Sequence, residues 1–329
     1  MSATAPGAEA ASLVGRSVSV EAPATIANLG AGYDCLGLAV DLQLKVTVEA
    51  VEAPADPSSI DLTVHGDCVG ELPEDRSNRF IVALEAGLAE LGFDGLERIG
   101  WRVEMTNPIP LERGLGSSAA AAVAGLVAAA SMAGRDLEMP ALLRLATRIE
   151  GHPDNVAPGL LGGLVASIAL NDRVEAVRLD PPRNVQVVAW IPERKLPTSE
   201  MRRVLPDAVP RADAVANLTR VAVGVAGLAT GRVDVLGLLT QDRLHEPYRA
   251  EVYPELPELV GAARSAGALG ACLAGAGSTV VAFVDSTDES AADRVGAAFR
   301  ATAARLGQPG RLAVLNPVGI GARVTSRTD

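Results

Sequence analysis

The chain has 329 residues, 48% of them hydrophobic, 21% charged and only 3% aromatic, with a formal net charge of −11. That length suits about two domains, and so few aromatics require a core packed from Ala, Val and Leu. An isoelectric point near 4.9 argues against a nucleic-acid partner, because phosphate backbones are met by basic surfaces. No uninterrupted apolar run of roughly 18 residues appears, so no membrane partner is expected. Cys35, Cys68 and Cys272 are widely spaced and follow no metal pattern. A reducing, cytoplasmic setting is the simplest reading.

Residues 1–15 lack the charged start and apolar centre of a signal peptide and read as a disordered tail. The alternation in 16–23 predicts a strand. A glycine-spaced polar loop, Asn28-Leu-Gly-Ala-Gly-Tyr-Asp34, then precedes a second extended run over Leu38–Ala50. Ile60–His65 reads as a strand. Asn78–Leu91 reads as an amphipathic helix, and Ile99–Met105 as a strand entering a proline- and glycine-rich loop. An Ala/Val/Leu run to about Ala133 predicts a buried helix. Met139–Glu150 is a second helix, stopped by Gly151-His-Pro-Asp-Asn155. Leu164–Leu170 and Val174–Leu179 form a hairpin, and Asp180-Pro-Pro-Arg183 is the clearest linker. Beyond it come a strand at 184–191, helices at about 210–230, 232–244 and 255–266, strands at 268–274 and 279–284, a helix at 288–306 and a last strand at 311–316. The expected organisation is α+β, with a domain over 16–181 and another over 182–329.

The chemistry concentrates in Pro108-Ile-Pro-Leu-Glu-Arg113-Gly114-Leu115-Gly116-Ser117-Ser118-Ala119. Two glycines let the main chain close around an anion, and Ser117 or Ser118 is placed to cap the following helix. The open N–H groups and dipole of a helix start favour phosphate there. Dinucleotide binding needs an acid about 20 residues on. Asp136 lies at that distance, but only Met132-Ala-Gly-Arg135 precedes it, leaving no second strand. No Lys-Ser or Lys-Thr follows the glycines, so the Walker loop is excluded too. A glycine turn that merely starts a core helix remains the bland alternative.

This loop resembles the nucleotide loop of the kinase superfamily named for galactokinase, homoserine kinase, mevalonate kinase and phosphomevalonate kinase. Ala24-Thr-Ile-Ala-Asn28-Leu-Gly-Ala-Gly-Tyr33-Asp34 resembles the opening segment of the homoserine kinases, with Tyr33 where relatives usually carry Phe. The similarity spans roughly residues 16–320. It implies an N-terminal domain like the second domain of ribosomal protein S5, a C-terminal ferredoxin-like domain and an active site in the cleft between them. The ligands it implies are ATP, Mg²⁺ and L-homoserine, and homodimers are common among relatives.

The roles implied by resemblance follow position by position. Pro108, Arg113, Gly114, Leu115, Gly116, Ser117, Ser118 and Ala119 would hold the nucleotide phosphates, with Asn78 on the adenine side. By its place alone, Asn78 reads equally well as a helix cap. Ser118 and Glu150 would hold Mg²⁺, which takes one or two protein oxygens beside phosphates and waters. The substrate carboxylate would meet Arg202 and Arg249, its amine Asp34 and His152, and its hydroxyl Asn28 and Asn155. Thr198 and Gly275 would complete the pocket. The turn Ala274-Gly-Ala-Gly-Ser278 lacks the Ser and Pro usual at its ends. Asn155 stands where mevalonate kinase-like relatives carry an Asp base. Asn cannot take a proton, so the expected mechanism is orientation of the hydroxyl, with Asp154 as a minor candidate base. A sister kinase for another small alcohol such as mevalonate, or a non-catalytic nucleotide sensor, are the rival readings.

Overall fold

The structure, a computed structural model, describes residues 8–328. A short turn of helix, α1 (Ala8–Ala11), precedes β1 (Ser17–Ala27), which pairs antiparallel with the long β2 (Leu36–Glu52). β3 (Asp61–Gly66) runs parallel to β4 (Ile99–Asn107), and β4 runs antiparallel to β2. In β4 Trp101, Val103 and Met105 are buried while Arg102, Glu104 and Thr106 face water, the period-two pattern of a sheet with one solvated face. α2 (Arg79–Glu90), α3 (Ser117–Ala133), α4 (Met139–Glu150) and α5 (Pro153–Leu161) form the opposing layer. α3 is central, between α2, α4 and α5 and against β1. Its alanines let these neighbours approach closely. The hairpin of β5 (Leu164–Ala169) and β6 (Val174–Leu179) extends the start of β2.

β7 (Val185–Pro192) opens the second domain. Four helices follow: α6 (Thr198–Arg203), α7 (Arg211–Ala229), α8 (Leu236–Leu239) and α9 (Glu246–Arg249). Then come α10 (Leu256–Ser265), β8 (Gly270–Leu273), β9 (Val280–Asp285), α11 (Ala291–Arg305) and β10 (Gly310–Leu315). The sheet order β10-β7-β9-β8 is wholly antiparallel, with α10 and α11 on one face, so this is the expected ferredoxin-like β-α-β-β-α-β arrangement. β7 is apolar along nearly its whole length because both its faces are covered. Val188 and Trp190 pack under α10 and α11, while Val187, Ala189 and Ile191 join the core of the first domain.

Four features depart from the sequence expectation. Of the expected disordered tail, residues 1–7 lie outside the described residues, whereas Ala10 and Leu13 are buried against the core. Gly151–Asn155 does not simply end α4, because His152 starts α5. The helix expected over 232–244 is broken into a 3₁₀ turn at Val233–Val235 and the short α8. A further strand, β11 (Arg323–Thr328), returns to pair with β1, carrying the end of the chain back to the first sheet. By length and composition α7 is apolar enough to cross a bilayer. Here buried Asn217 ties it to the protein, its amide donating to the Ala31 carbonyl at 3.1 Å.

Close packing of α2 on α3 depends on Gly125, where an added Cβ would lie 2.3 Å from the Phe80 carbonyl oxygen. Gly125→Ala gains helix propensity but overpacks this contact. We expect a net loss of about 1–3 kcal/mol in urea unfolding.

Candidate active site

Where β4 hands over to α3, the chain turns through Gly114 (φ 77°) and Gly116 (φ 72°), both left-handed. A Cβ at Gly114 would lie 2.0 Å from the Ala274 carbonyl oxygen, and one at Gly116 would lie 2.1 Å from Thr25 Oγ1. Glycine is thus required twice over, for conformation and for space. The capping expectation for Ser117 and Ser118 is corrected: Gly116 is the N-cap, and no side chain caps α3. Both serines are engaged elsewhere. Ser117 Oγ accepts a hydrogen bond from Asn107 Nδ2 at 3.0 Å, and Ser118 Oγ donates to Glu150 Oε1 at 2.8 Å. The first-turn N–H groups of α3 therefore keep no intrahelical or capping partner, which is the electrostatic setting for an anion.

These N–H groups open onto a cavity of about 190 Å³ at the domain junction. Gly114, Leu115, Gly116, Ser117, Ser118, Ala119 and Glu150 line its nucleotide side. Opposite them the cavity gathers Asn28, Asp34, His152 and Asn155 from the first domain with Thr198, Arg202, Arg249 and Gly275 from the second. The chain separations among these residues reach 247 positions, yet Asn28 Nδ2 donates to the Gly275 carbonyl at 2.8 Å. Asn28 Oδ1 accepts the Asp34 N–H at 3.0 Å, which shapes the loop between them.

The two arginines differ in charge balance. Arg202 forms a two-point ion pair with Asp34, at 2.7 and 3.0 Å, and also donates to the Tyr33 hydroxyl at 3.0 Å. Arg249 is 1% exposed and meets only neutral acceptors: the Gly275 carbonyl (2.9 Å), His245 Nδ1 (3.0 Å) and the Met201 carbonyl (3.3 Å). Its charge is held in place and left uncompensated by any carboxylate in contact. Tyr33 lies between the two guanidiniums, 5.8 and 5.5 Å from its ring centroid, and stacks on His245 at 5.0 Å. Burial pushes the His245 pKa down to about 4. The ring is therefore neutral, with Nε2–H donating to the Gly30 carbonyl at 2.9 Å and Nδ1 free to accept from Arg249.

His152 behaves oppositely. Its Nδ1–H donates to Asp154 Oδ1 at 2.5 Å, and that bond raises its pKa above the ordinary value despite the burial that opposes it. The bond to Asp154 favours the imidazolium form, which repels an ammonium, and so weighs against the amine-holding role the resemblance implied. Asp154 already accepts the His152 Nδ1–H. Asn155 Oδ1 accepts from the Thr25 hydroxyl at 2.8 Å, which turns its NH₂ group away as the free donor.

Glu150 sits at the end of α4 and pairs with Arg79 Nε at 3.3 Å as well as with Ser118. Among the described residues no cluster of three metal-ligating side chains exists. One carboxylate beside one hydroxyl nevertheless fits Mg²⁺, which needs few protein oxygens when phosphates and waters supply the rest.

Three nucleotide-side candidates lie outside the cavity lining. Pro108 ends β4 one residue after Asn107 and does not reach it. Arg113 points the other way, its guanidinium donating to the carbonyls of Pro192, Glu193 and Leu111 at 2.8–2.9 Å. It staples the loop to the second domain. Asn78 caps α2, accepting the Phe80 N–H at 3.1 Å and donating to the Pro73 carbonyl at 3.0 Å. It does line a neighbouring cavity that shares Leu111, Ser117 and Ser118 with the first. Sequence reasoning missed Thr25, Asn107, Arg79 and His245, which hold Asn155, Ser117, Glu150 and Arg249. Only His245 carried a signal, standing four residues before Arg249, one helical turn away.

The description "GHMP kinases N terminal domain" matches residues 78–163, and "GHMP kinases C terminal" matches residues 226–305. Fold and cavity together define a two-domain kinase of the GHMP type. The chain is 41% identical over 305 residues to the homoserine kinase of Moorella thermoacetica, covering 93% of this chain and 99% of that one. With the homoserine kinase of Thermus thermophilus it shares 42% identity over 299 residues, 91% of this chain and 94% of the other. The crystal structure of homoserine kinase from Cytophaga hutchinsonii superposes with a TM-score of 0.82 at 32% identity, covering 94% of this chain and 97% of that one. L. major mevalonate kinase in complex with R-mevalonate, at 16% identity and TM-score 0.68 over 90% of this chain and 95% of that one, shares the fold alone. The chain belongs to the homoserine kinase family.

His152, which lines the cavity, and the buried His245, which holds Arg249, should titrate apart in NMR. His152 should show a midpoint above 6.5 that falls on Asp154→Asn, because the bond favouring the imidazolium is removed. His245 should stay neutral down to about pH 4.

Proposed function

We propose that the protein transfers the γ-phosphoryl group of ATP to the side-chain hydroxyl of L-homoserine, yielding O-phospho-L-homoserine. One observation carries this reading: a single cavity joins the uncapped start of α3 to a zwitterion-binding set of Asp34, Arg202 and Arg249. The relatives named homoserine kinase support it across nearly the full chain. Three free cysteines support a reducing, cytoplasmic setting.

In this reading Gly114–Ala119 holds the phosphates through main-chain N–H groups, and Ser118 and Glu150 hold Mg²⁺. When bound, the ion supplies charge neutralisation on the β- and γ-phosphoryl oxygens. Arg79, already paired with Glu150, balances that carboxylate beforehand. The substrate carboxylate goes to Arg249, the uncompensated cation, and its ammonium goes to Asp34. A zwitterion then replaces the Arg202–Asp34 pair charge for charge, with Arg202 closing on the carboxylate. Asn28 and Asn155 orient the hydroxyl. Asn155 offers N–H to its oxygen and so directs a lone pair without taking the proton, which leaves through phosphate or water. Phosphoryl transfer tolerates this, because its loose transition state gains mainly from positioning and charge neutralisation.

ADP release measured side by side with homoserine, mevalonate, shikimate and galactose should single out homoserine. Equal rates with mevalonate would favour a broader small-alcohol kinase, and nucleotide binding with no transfer to any acceptor would favour a sensor. Asp34→Asn should raise KM for homoserine roughly ten- to hundredfold, the size of a lost charge-assisted hydrogen bond. An unchanged KM would remove the amino-acid assignment. Glu150→Gln should lower kcat by about 100-fold or more while thermal unfolding stays near wild type.

A further inference from the structure

A second cavity, of about 480 Å³, lies between α7, α9 and α10 and shares no lining residue with the catalytic one. Pro247, Leu256 and Val260 make one wall apolar, while Arg220, Arg264 and Glu246 make the other polar. Arg220 Nη1 donates to the Gln241 carbonyl at 3.0 Å. Arg264 Nη2 donates to the carbonyls of Thr240 and Ala271 at 2.9 and 3.0 Å. Among the described residues neither arginine makes an ion pair with a carboxylate. Two cations are thus fixed at a concave surface by neutral groups, in a chain whose net charge is −11. Such an arrangement holds positive potential that a carboxylate would neutralise. The acids nearby offset it only in part, through Asp242, whose carboxylate stays charged. Asp242 is saturated, its oxygens accepting Asn217 Nδ2 and the N–H groups of Leu244, His245 and Glu246 at 2.6–3.1 Å. Glu246 accepts the Leu273 N–H at 2.7 Å, and burial raises its pKa to about 8, so at neutral pH it is largely an uncharged hydroxyl donor.

The same loop leads to the catalytic cavity. Asp242 holds the backbone of His245, His245 holds Arg249 Nη1, and Arg249 lines the catalytic cavity. Gln241, bonded to Arg220, immediately precedes Asp242. We propose that the α7–α9–α10 cavity is a second ligand site for a small aliphatic carboxylate, and that its occupancy is felt at Arg249. The apolar wall selects an organic body over a bare inorganic anion, and the paired guanidiniums select the carboxylate head.

Ligand-observed NMR titration at constant ionic strength tests the binding half, with isovalerate as probe and isovaleramide as its uncharged control. A saturable isovalerate component that the amide lacks is expected, with its affinity falling at least about tenfold in Arg220→Gln and in Arg264→Gln. Two variants are used so that one misfolded protein does not decide the matter, and circular dichroism identifies it. Equal affinity in wild type and both variants, or equal binding of the amide, overturns the site. This half needs no turnover, so it stands apart from homoserine as the acceptor. The coupling half rests on that reading: isovalerate should change the KM for homoserine in wild type and not in Arg220→Gln. Binding without any change in KM, or the same change in the variant, overturns the coupling.

Discussion

The constraint on which the site depends is the close approach of two backbones at Gly114. The loop ahead of α3 lies so near the Ala274–Gly275 turn that a Cβ at Gly114 would sit 2.0 Å from a carbonyl oxygen. That contact brings the second domain onto the rim of the uncapped helix. Arg113 reinforces it by binding the carbonyls at the end of β7, and Asn28 reinforces it by donating to Gly275. The start of α3 and one part of the opposite wall come from the first domain, and Thr198, Arg202, Arg249 and Gly275 come from the second, so the cavity is complete only because these backbones meet. Any residue larger than glycine would separate them.

Around that contact the protein manages charge in two ways. Some cations are neutralised within the protein, as Arg202 is by Asp34 and Arg79 by Glu150. Others, Arg249 above all, are fixed by carbonyls and a neutral imidazole. The distinction separates an arginine already paired within the protein from one whose field remains available to a ligand. It also shows how a chain of net charge −11 can hold positive potential locally, by fixing arginines in clefts against neutral groups.

Much of this was legible in one dimension. Gly114-Leu-Gly116-Ser-Ser marked an open helix start because glycine spacing acts locally. The period-two and 3.6-residue patterns located most strands and helices for the same reason. Arg113 was misread because nothing near it in sequence reveals which way a long side chain turns when its partners are Pro192 and Glu193. Thr25 and Asn107 were overlooked because a Thr or Asn in a strand looks like any other polar residue until its cross-chain partner is known. α5 was hidden by Gly151-His-Pro, a sequence that ends one helix and starts the next at once. The role of His152 came from resemblance, since nothing in the sequence shows that Asp154, two residues on, takes its Nδ1–H.

Taken alone, the order of residues determined the α+β class, the two-domain plan and the chemical kinds of groups available: main-chain donors, one Ser–Glu pair, two arginines and an aspartate. Those follow from local periodicity, backbone freedom and side-chain chemistry. Only the tertiary structure decided which arginine is neutralised, which histidine has its protonation favoured and which asparagine donates. Each of these depends on partners brought near by folding, and electrostatics is set by distance in space and by burial, neither of which local sequence specifies.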